Sequence, residues 1–157
     1  HGEPFSVGYV VYKNGILTGA NSFSCDRASV SGAGSDREWV NANVPSTPIT
    51  HASIEGVIDA FWAAWMDWKK EGAQMFAECS WPVEAKFLAM CVGRVYPDGQ
   101  WDGPYPLHEI ASFMAAAGMD PMAVYGRDED EPKHDPLGDA KQSARLLLKA
   151  LARLEAN

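Results

Sequence analysis

The sequence predicts an α/β protein with one sheet and several helices packed against it. Three observations carry this. A β-branched and aromatic run at residues 6–13 leads into Asn14-Gly15, a type I′ hairpin signal. From about Ser53 the apolar spacing changes to steps of three and four, the period of a helix. A short apolar run at 73–79 then falls between helices, so the order reads hairpin, helix, strand, helix, helix, helix.

Each element has its own cause. Ser6-Val-Gly-Tyr-Val-Val-Tyr-Lys13 reads as a buried strand, and Ile16-Leu17-Thr18 begins its partner. Residues 21–50, rich in Ser, Gly, Asn and Pro, read as a long surface excursion with a turn or two of helix near Ser35–Val40. Ile54, Val57, Ile58, Phe61 and Trp65 form one stripe of an amphipathic helix running to about Glu71, and Gly72 stops it. Ala73–Cys79 reads as a short strand. Pro82, in a first turn where its missing N–H costs nothing, opens a helix to about Val92 or Gly93. After a Gly/Pro/Asp-rich connection at 94–105, Leu107–Ala117 reads as a further helix closed by Gly118. The last helix starts near Asp135-Pro136, with Asp as cap and Pro first, and its stripe is Ala140, Ala144, Leu147, Leu151 and Leu154. No internal repeat is present, and a single domain over 1–157 is expected.

Composition narrows the class. At 157 residues and 46% hydrophobic, with six Trp, six Phe and five Tyr, the chain can bury a real core. Cys25, Cys79 and Cys91 are odd in number and unpatterned, which suggests neither a disulfide framework nor a zinc site; a reducing, cytoplasmic location is expected. No apolar run approaches the roughly 18–20 residues of a membrane span. No signal peptide and no starting Met are present, so residues ahead of His1 are expected. Thirteen basic against twenty-one acidic residues give a net charge of −8. That argues against holding long nucleic acid by phosphate neutralisation, but not against binding a few nucleotides with the help of divalent cations.

Three residues stand out. Glu84 shares a helix face with Phe87, Leu88 and Cys91, so a carboxylate heads an apolar stripe, a costly placement unless a cation or donors meet it. The alternative is an acid favoured by the helix N-terminus and tipped into solvent. Asp139 borders the last helix's stripe, on a face with Ser143, Leu146 and Ala150. His134 lies just ahead of that helix, where a lone histidine is ordinarily solvated. Together they offer more: histidine accepts a proton near neutral pH, and carboxylates are the ligands that Mg²⁺ or Mn²⁺ prefer. Phosphodiester hydrolysis uses both.

The segment His134-Asp-Pro-Leu-Gly-Asp139-Ala140 resembles the last motif of the DEDDh 3′–5′ exonucleases, RNase H-like proteins that include proofreading exonuclease domains and oligoribonucleases. Val83-Glu84-Ala-Lys-Phe87-Leu88, just after a strand, resembles their second motif, and the hairpin Val7–Thr18 resembles the segment after their first. The nearest likeness is to the bacterial exoribonuclease-like branch. The resemblance implies an RNase H-like fold, a mixed central sheet with flanking helices. It implies His134 as general base, and Asp139 and Glu84 as ligands of a two-metal Mg²⁺ or Mn²⁺ site. It also implies short single-stranded nucleic acid or nucleotides as partner, with no membrane and room for a homodimer.

Two departures bear on this reading. Glu84 stands where the family has Asp, one methylene longer; Glu78 matches the register less well. The first motif, an Asp-x-Glu on the central strand, is absent: by register it falls immediately ahead of His1, with only Glu3 nearby. The alternative is a catalytically impaired binding or regulatory protein on the same fold, and a third class is an interaction domain without a site. His51 and His108 read as packing or capping residues, and Trp62, Trp65 and Trp68 as packing. The run Asp128–Glu131 reads as a solvated acidic loop that favours a protonated His134 and repels phosphate.

Overall fold

Asn14 and Gly15 both take the left-handed backbone, φ 53° and 76°, that a type I′ turn needs. They join β1 (Ser6–Lys13) to β2 (Ile16–Ser24) as an antiparallel pair, Ser6 opposite Ser24 and Lys13 opposite Ile16, with a bulge between Val11 and Tyr12. This computed structural model describes residues 4–30, 34–78 and 80–156; Glu3, and Cys79 at the end of the expected third strand, lie outside them. β2 reaches Ser24, into the stretch read as a surface excursion. β1 is half-buried rather than buried, because a two-stranded sheet leaves one edge of each strand unpaired.

The elements that follow are α1 (Gly34–Asn43), α2 (Ile54–Lys70), β3 (Met75–Ala77), α3 (Val83–Val95), β4 (Leu107–Glu109), α4 (Ile110–Ala116) and α5 (Pro136–Glu155). The protein is thus mixed α/β. Among the described residues its strands form two small sheets, the antiparallel β1–β2 pair and a parallel β3–β4 pair, in place of the one mixed central sheet expected. No helix among them is long and apolar enough to cross a membrane. The chain divides into two compact units, His1–Val57 with Val124–Arg145, and Ile58–Ala123 with Leu146–Asn157.

In the first unit, Asp26 caps a 3-10 turn (Arg27–Ser29) by accepting from the Ala28 N–H at 2.9 Å. The Arg27 guanidinium donates to the carbonyls of Val40, Val44 and Pro45 at 3.4, 3.2 and 2.7 Å. It thereby ties the 3-10 turn to the C-terminal end of α1, where the Val40 carbonyl also accepts the Val44 N–H at 2.9 Å. β1 meets the head of α5 at Gly8, where an added Cβ would overlap the Pro136 carbonyl. We expect Gly8→Ala to cost about 1–3 kcal/mol through overpacking against rigid backbone. Chemical denaturation of the two proteins checks this, and an unchanged midpoint would show that the contact yields freely.

In the second unit, Ile58, Phe61 and Trp65 of α2 are buried, as are Phe87, Leu88 and Cys91 of α3 and Ile110 and Met114 of α4. The α2 stripe is thus the one that its spacing predicts, and Gly72 ends the helix at φ 83°. Phe61 and Phe87 meet edge to face at 5.0 Å, a favoured geometry for aromatic rings. Leu107–Glu109, expected as helix, instead pairs parallel with β3, Met75 opposite Leu107 and Ala77 opposite Glu109. Ladder bonds to a strand some thirty residues earlier outweigh the local helical pattern; α4 begins only at Ile110 and ends before Gly118, at φ 67°.

α5 begins where expected, but its buried face is rotated from the predicted stripe. Gln142, Ser143, Leu146, Leu147 and Ala150 are buried, while Leu154 is exposed. Two polar residues sit on that face; for Gln142 the reason is on hand, since its amide donates to the Tyr125 carbonyl at 3.3 Å.

Candidate functional site

The head of α5 is built by its own local sequence. The Asp135 carboxylate accepts the Gly138 N–H at 2.8 Å, the capping bond expected of Asp ahead of Pro136. Gly138 is required there, because a Cβ would overlap the Pro132 carbonyl. His134 takes φ 61°, a left-handed conformation that histidine tolerates better than most side chains. Its main-chain N–H then donates to Asp139 Oδ1 at 3.2 Å. His134 and Asp139 are therefore brought together through the His134 main chain.

Asp139 has a second partner that the sequence reading did not foresee. Arg127 Nη2 lies 2.7 Å from Asp139 Oδ1, with the Asp139 side chain 38% exposed. The acidic run that precedes His134 is likewise paired rather than simply solvated. Arg145 grips Glu131 with both nitrogens, Nε to Oε1 at 2.8 Å and Nη2 to Oε2 at 2.6 Å, and reaches Asp128 at 3.3 Å. Lys141 pairs with Asp130 at 2.6 Å. Glu131 is only 4% exposed, and Arg145 holds its carboxyl below the usual glutamate range. The charges of Asp128, Asp130 and Glu131 thus sit against Arg145 and Lys141, from turns of α5 that bring i and i+4 to one side.

Trp39 on α1 completes this surface. Its ring stands edge-on to the His134 imidazole, centroids 5.1 Å apart and planes at 76°. In sequence it was one residue of a suspected helical turn; nothing local says that it meets a histidine ninety-odd positions later.

Glu84 belongs to the second unit, in the first turn of α3. The face that it heads is the buried one, with Phe87, Leu88 and Cys91 beneath it. Burial pushes the Glu84 carboxyl up, a backbone hydrogen bond partly offsets this, and the negative charge of Glu78 pushes it up further. An acid raised in the folded state stabilises the fold when protonated and costs stability as pH rises past its ordinary value. Glu84→Gln is therefore expected to raise stability at pH 7. Thermal melts at pH 7 check this: a lower midpoint in Glu84→Gln would mean that the carboxylate is compensated.

Carboxylate oxygen is the right donor for Mg²⁺ or Mn²⁺, and Asp139 already draws a cation, Arg127. By donor type, then, Asp139 and Glu84 fit the implied metal. By number they do not make a centre: among the described residues no group of three or more His, Cys, Asp or Glu side chains is placed to hold a metal ion. His51 and His108 pack. His51 meets Phe23 edge-on at 5.6 Å and Thr50 Oγ1 at 2.8 Å. His108 stacks on Phe76 at 4.8 Å, on a strand rather than at a helix start, its Nε2 buried without a hydrogen-bond partner. Cys91 is buried, its thiol pushed up to about 12, which leaves it inert as a nucleophile.

Compared with protein-family models, curated proteins and solved structures, the chain matches none.

Proposed function

We propose that this protein is a 3′–5′ exonuclease of the RNase H-like type, acting on short single-stranded RNA or DNA, with His134 as general base. The observation that carries the reading is the pairing of His134 with Asp139 at the head of α5, held by the His134 N–H on Oδ1. The raised carboxyl of Glu84, in a first helical turn beyond a parallel strand, stands where α/β proteins place site residues.

In this reading His134 takes the proton from the attacking water, and Asp139 orients the histidine through its main chain. Asp139, a carboxylate beside His134, would supply a ligand to Mg²⁺ or Mn²⁺, which when bound stabilises the attacking and leaving oxygens. The pairing of the acidic run with Arg145 and Lys141 lessens the repulsion that the run would otherwise exert on a phosphate chain.

One observation favours a second reading, the catalytically impaired binding protein. The Arg127–Asp139 ion pair gives the expected ligand a partner of its own. The two readings separate in one experiment: nucleotide release from short single-stranded RNA and DNA with Mn²⁺, alongside calorimetric titration of Mn²⁺. Release that is lost in His134→Asn upholds the exonuclease. No release and no Mn²⁺ binding by the full-length protein upholds the second reading.

A further inference from the structure

Asp139 Oδ1 carries two donors at once, the His134 main-chain N–H at 3.2 Å and Arg127 Nη2 at 2.7 Å. The first bond is closed by the turn ahead of α5 and leaves the carboxylate charge unmatched. The second matches that charge with a guanidinium from the residue just ahead of the acidic run. Arg127 is also tethered by Nη1, which donates to the Glu131 and Pro132 carbonyls, both at 3.3 Å. Its side chain is 25% exposed and that of Asp139 38%, and an ion pair open to water on both sides is held weakly. Each partner also suits another ligand. A planar guanidinium fork matches phosphate, and a carboxylate matches a hard divalent cation.

We infer that Arg127 is an exchangeable arm, which neutralises Asp139 in the absence of ligand and passes to a substrate phosphate when Asp139 takes a divalent cation. This rests on the reading of Asp139 as a metal ligand beside the general base. Either ligand arriving alone must break the ion pair. The second then finds its own partner already released, so the two bind cooperatively and by the same factor in both directions. The tether to the Glu131 and Pro132 carbonyls keeps the guanidinium near the head of α5 during the exchange. The site thereby favours a phosphate that comes together with a divalent cation over either one alone.

The test is a double-mutant cycle on Arg127→Gln and Asp139→Asn, read by two affinities rather than by turnover. Adenosine monophosphate is titrated in EDTA by calorimetry, and Mn²⁺ is titrated alone by electron paramagnetic resonance. Asp139→Asn should lose the Mn²⁺ site, and Arg127→Gln should tighten it about two- to fivefold, the worth of a part-exposed ion pair. Arg127→Gln should weaken the nucleotide about tenfold, the loss of a charge-assisted hydrogen bond. Asp139→Asn should tighten the nucleotide about two- to fivefold with Arg127 present, and not at all in Arg127→Gln. That last comparison separates the arm from a general change of charge, which acts in both backgrounds. Arg127→Met keeps the aliphatic stem and carries the cycle if Arg127→Gln does not fold. Equal gains from Asp139→Asn in both backgrounds, or unchanged Mn²⁺ affinity in a folded Arg127 variant, overturns the inference. So does a lack of Mn²⁺ binding in wild type and Arg127→Gln alike. The expected pattern without nucleotide release from single strands removes the exonuclease and keeps the arm. Release by wild type with neither affinity moved in Arg127→Gln removes the arm and leaves the exonuclease standing.

Discussion

Replacing His134 by asparagine is expected to lower nucleotide release by about 10²- to 10⁴-fold, the usual worth of a positioned general base. Asparagine is the better probe than alanine, for a backbone reason. His134 sits at φ 61°, and Asn adopts the left-handed region far more readily than Ala. His134→Asn therefore removes the imidazole and leaves the turn, along with the main-chain N–H on Asp139 Oδ1. His134→Ala adds backbone strain to the same loss and should melt at a lower temperature than His134→Asn. Rates on a single-stranded oligonucleotide, with melting curves beside them, check both parts. An Asn variant within about threefold of wild type in rate would remove His134 from the chemistry.

Arg145→Ala should have the largest effect on stability. Glu131 is 4% exposed, and both its oxygens are held by Arg145; the Asp128 N–H also donates to it, at 2.9 Å. Removing the cation strands a buried carboxylate, which costs about 3 kcal/mol, the low end for a broken buried pair, because the Arg145 side chain is itself 36% exposed. For a chain of this size that corresponds to roughly 6–12 °C in Tm. Glu131→Gln added to Arg145→Ala should restore much of the loss, since no buried charge is then left alone.

The same pair sets a pH dependence. Arg145 lowers the Glu131 carboxyl in the folded state. Its stabilisation is therefore fully present above the unfolded glutamate value of about 4.3 and fades as pH falls through the lower folded value. Wild type should lose stability in acid more steeply than Glu131→Gln. Parallel acid curves for the two proteins would show that the pair contributes nothing.

Much of the fold was legible because its causes are local. Asn14-Gly15 can hardly do anything other than turn, and the structure gives both residues the left-handed φ that this requires. The α2 stripe and the Asp135-Pro136 start of α5 follow from spacing and capping within a few residues. Within the candidate site, the approach of His134 to Asp139 is local too, five residues bent around one cap. Other features were not legible, for a common reason. Leu107–Glu109 became a strand because β3 offered it a ladder. The acidic run looked solvated until α5 supplied Arg145 and Lys141.

By itself, then, the sequence determined the turns, the caps, the helical periods and the motif at the head of α5, since each rests on bonds among near neighbours. Only the tertiary structure decided which strands pair, which face of α5 is buried, that Arg127 stands on Asp139, and that Trp39 meets His134. Those outcomes depend on which groups distant in the chain arrive at the same place, where packing and charge pairing override local preference.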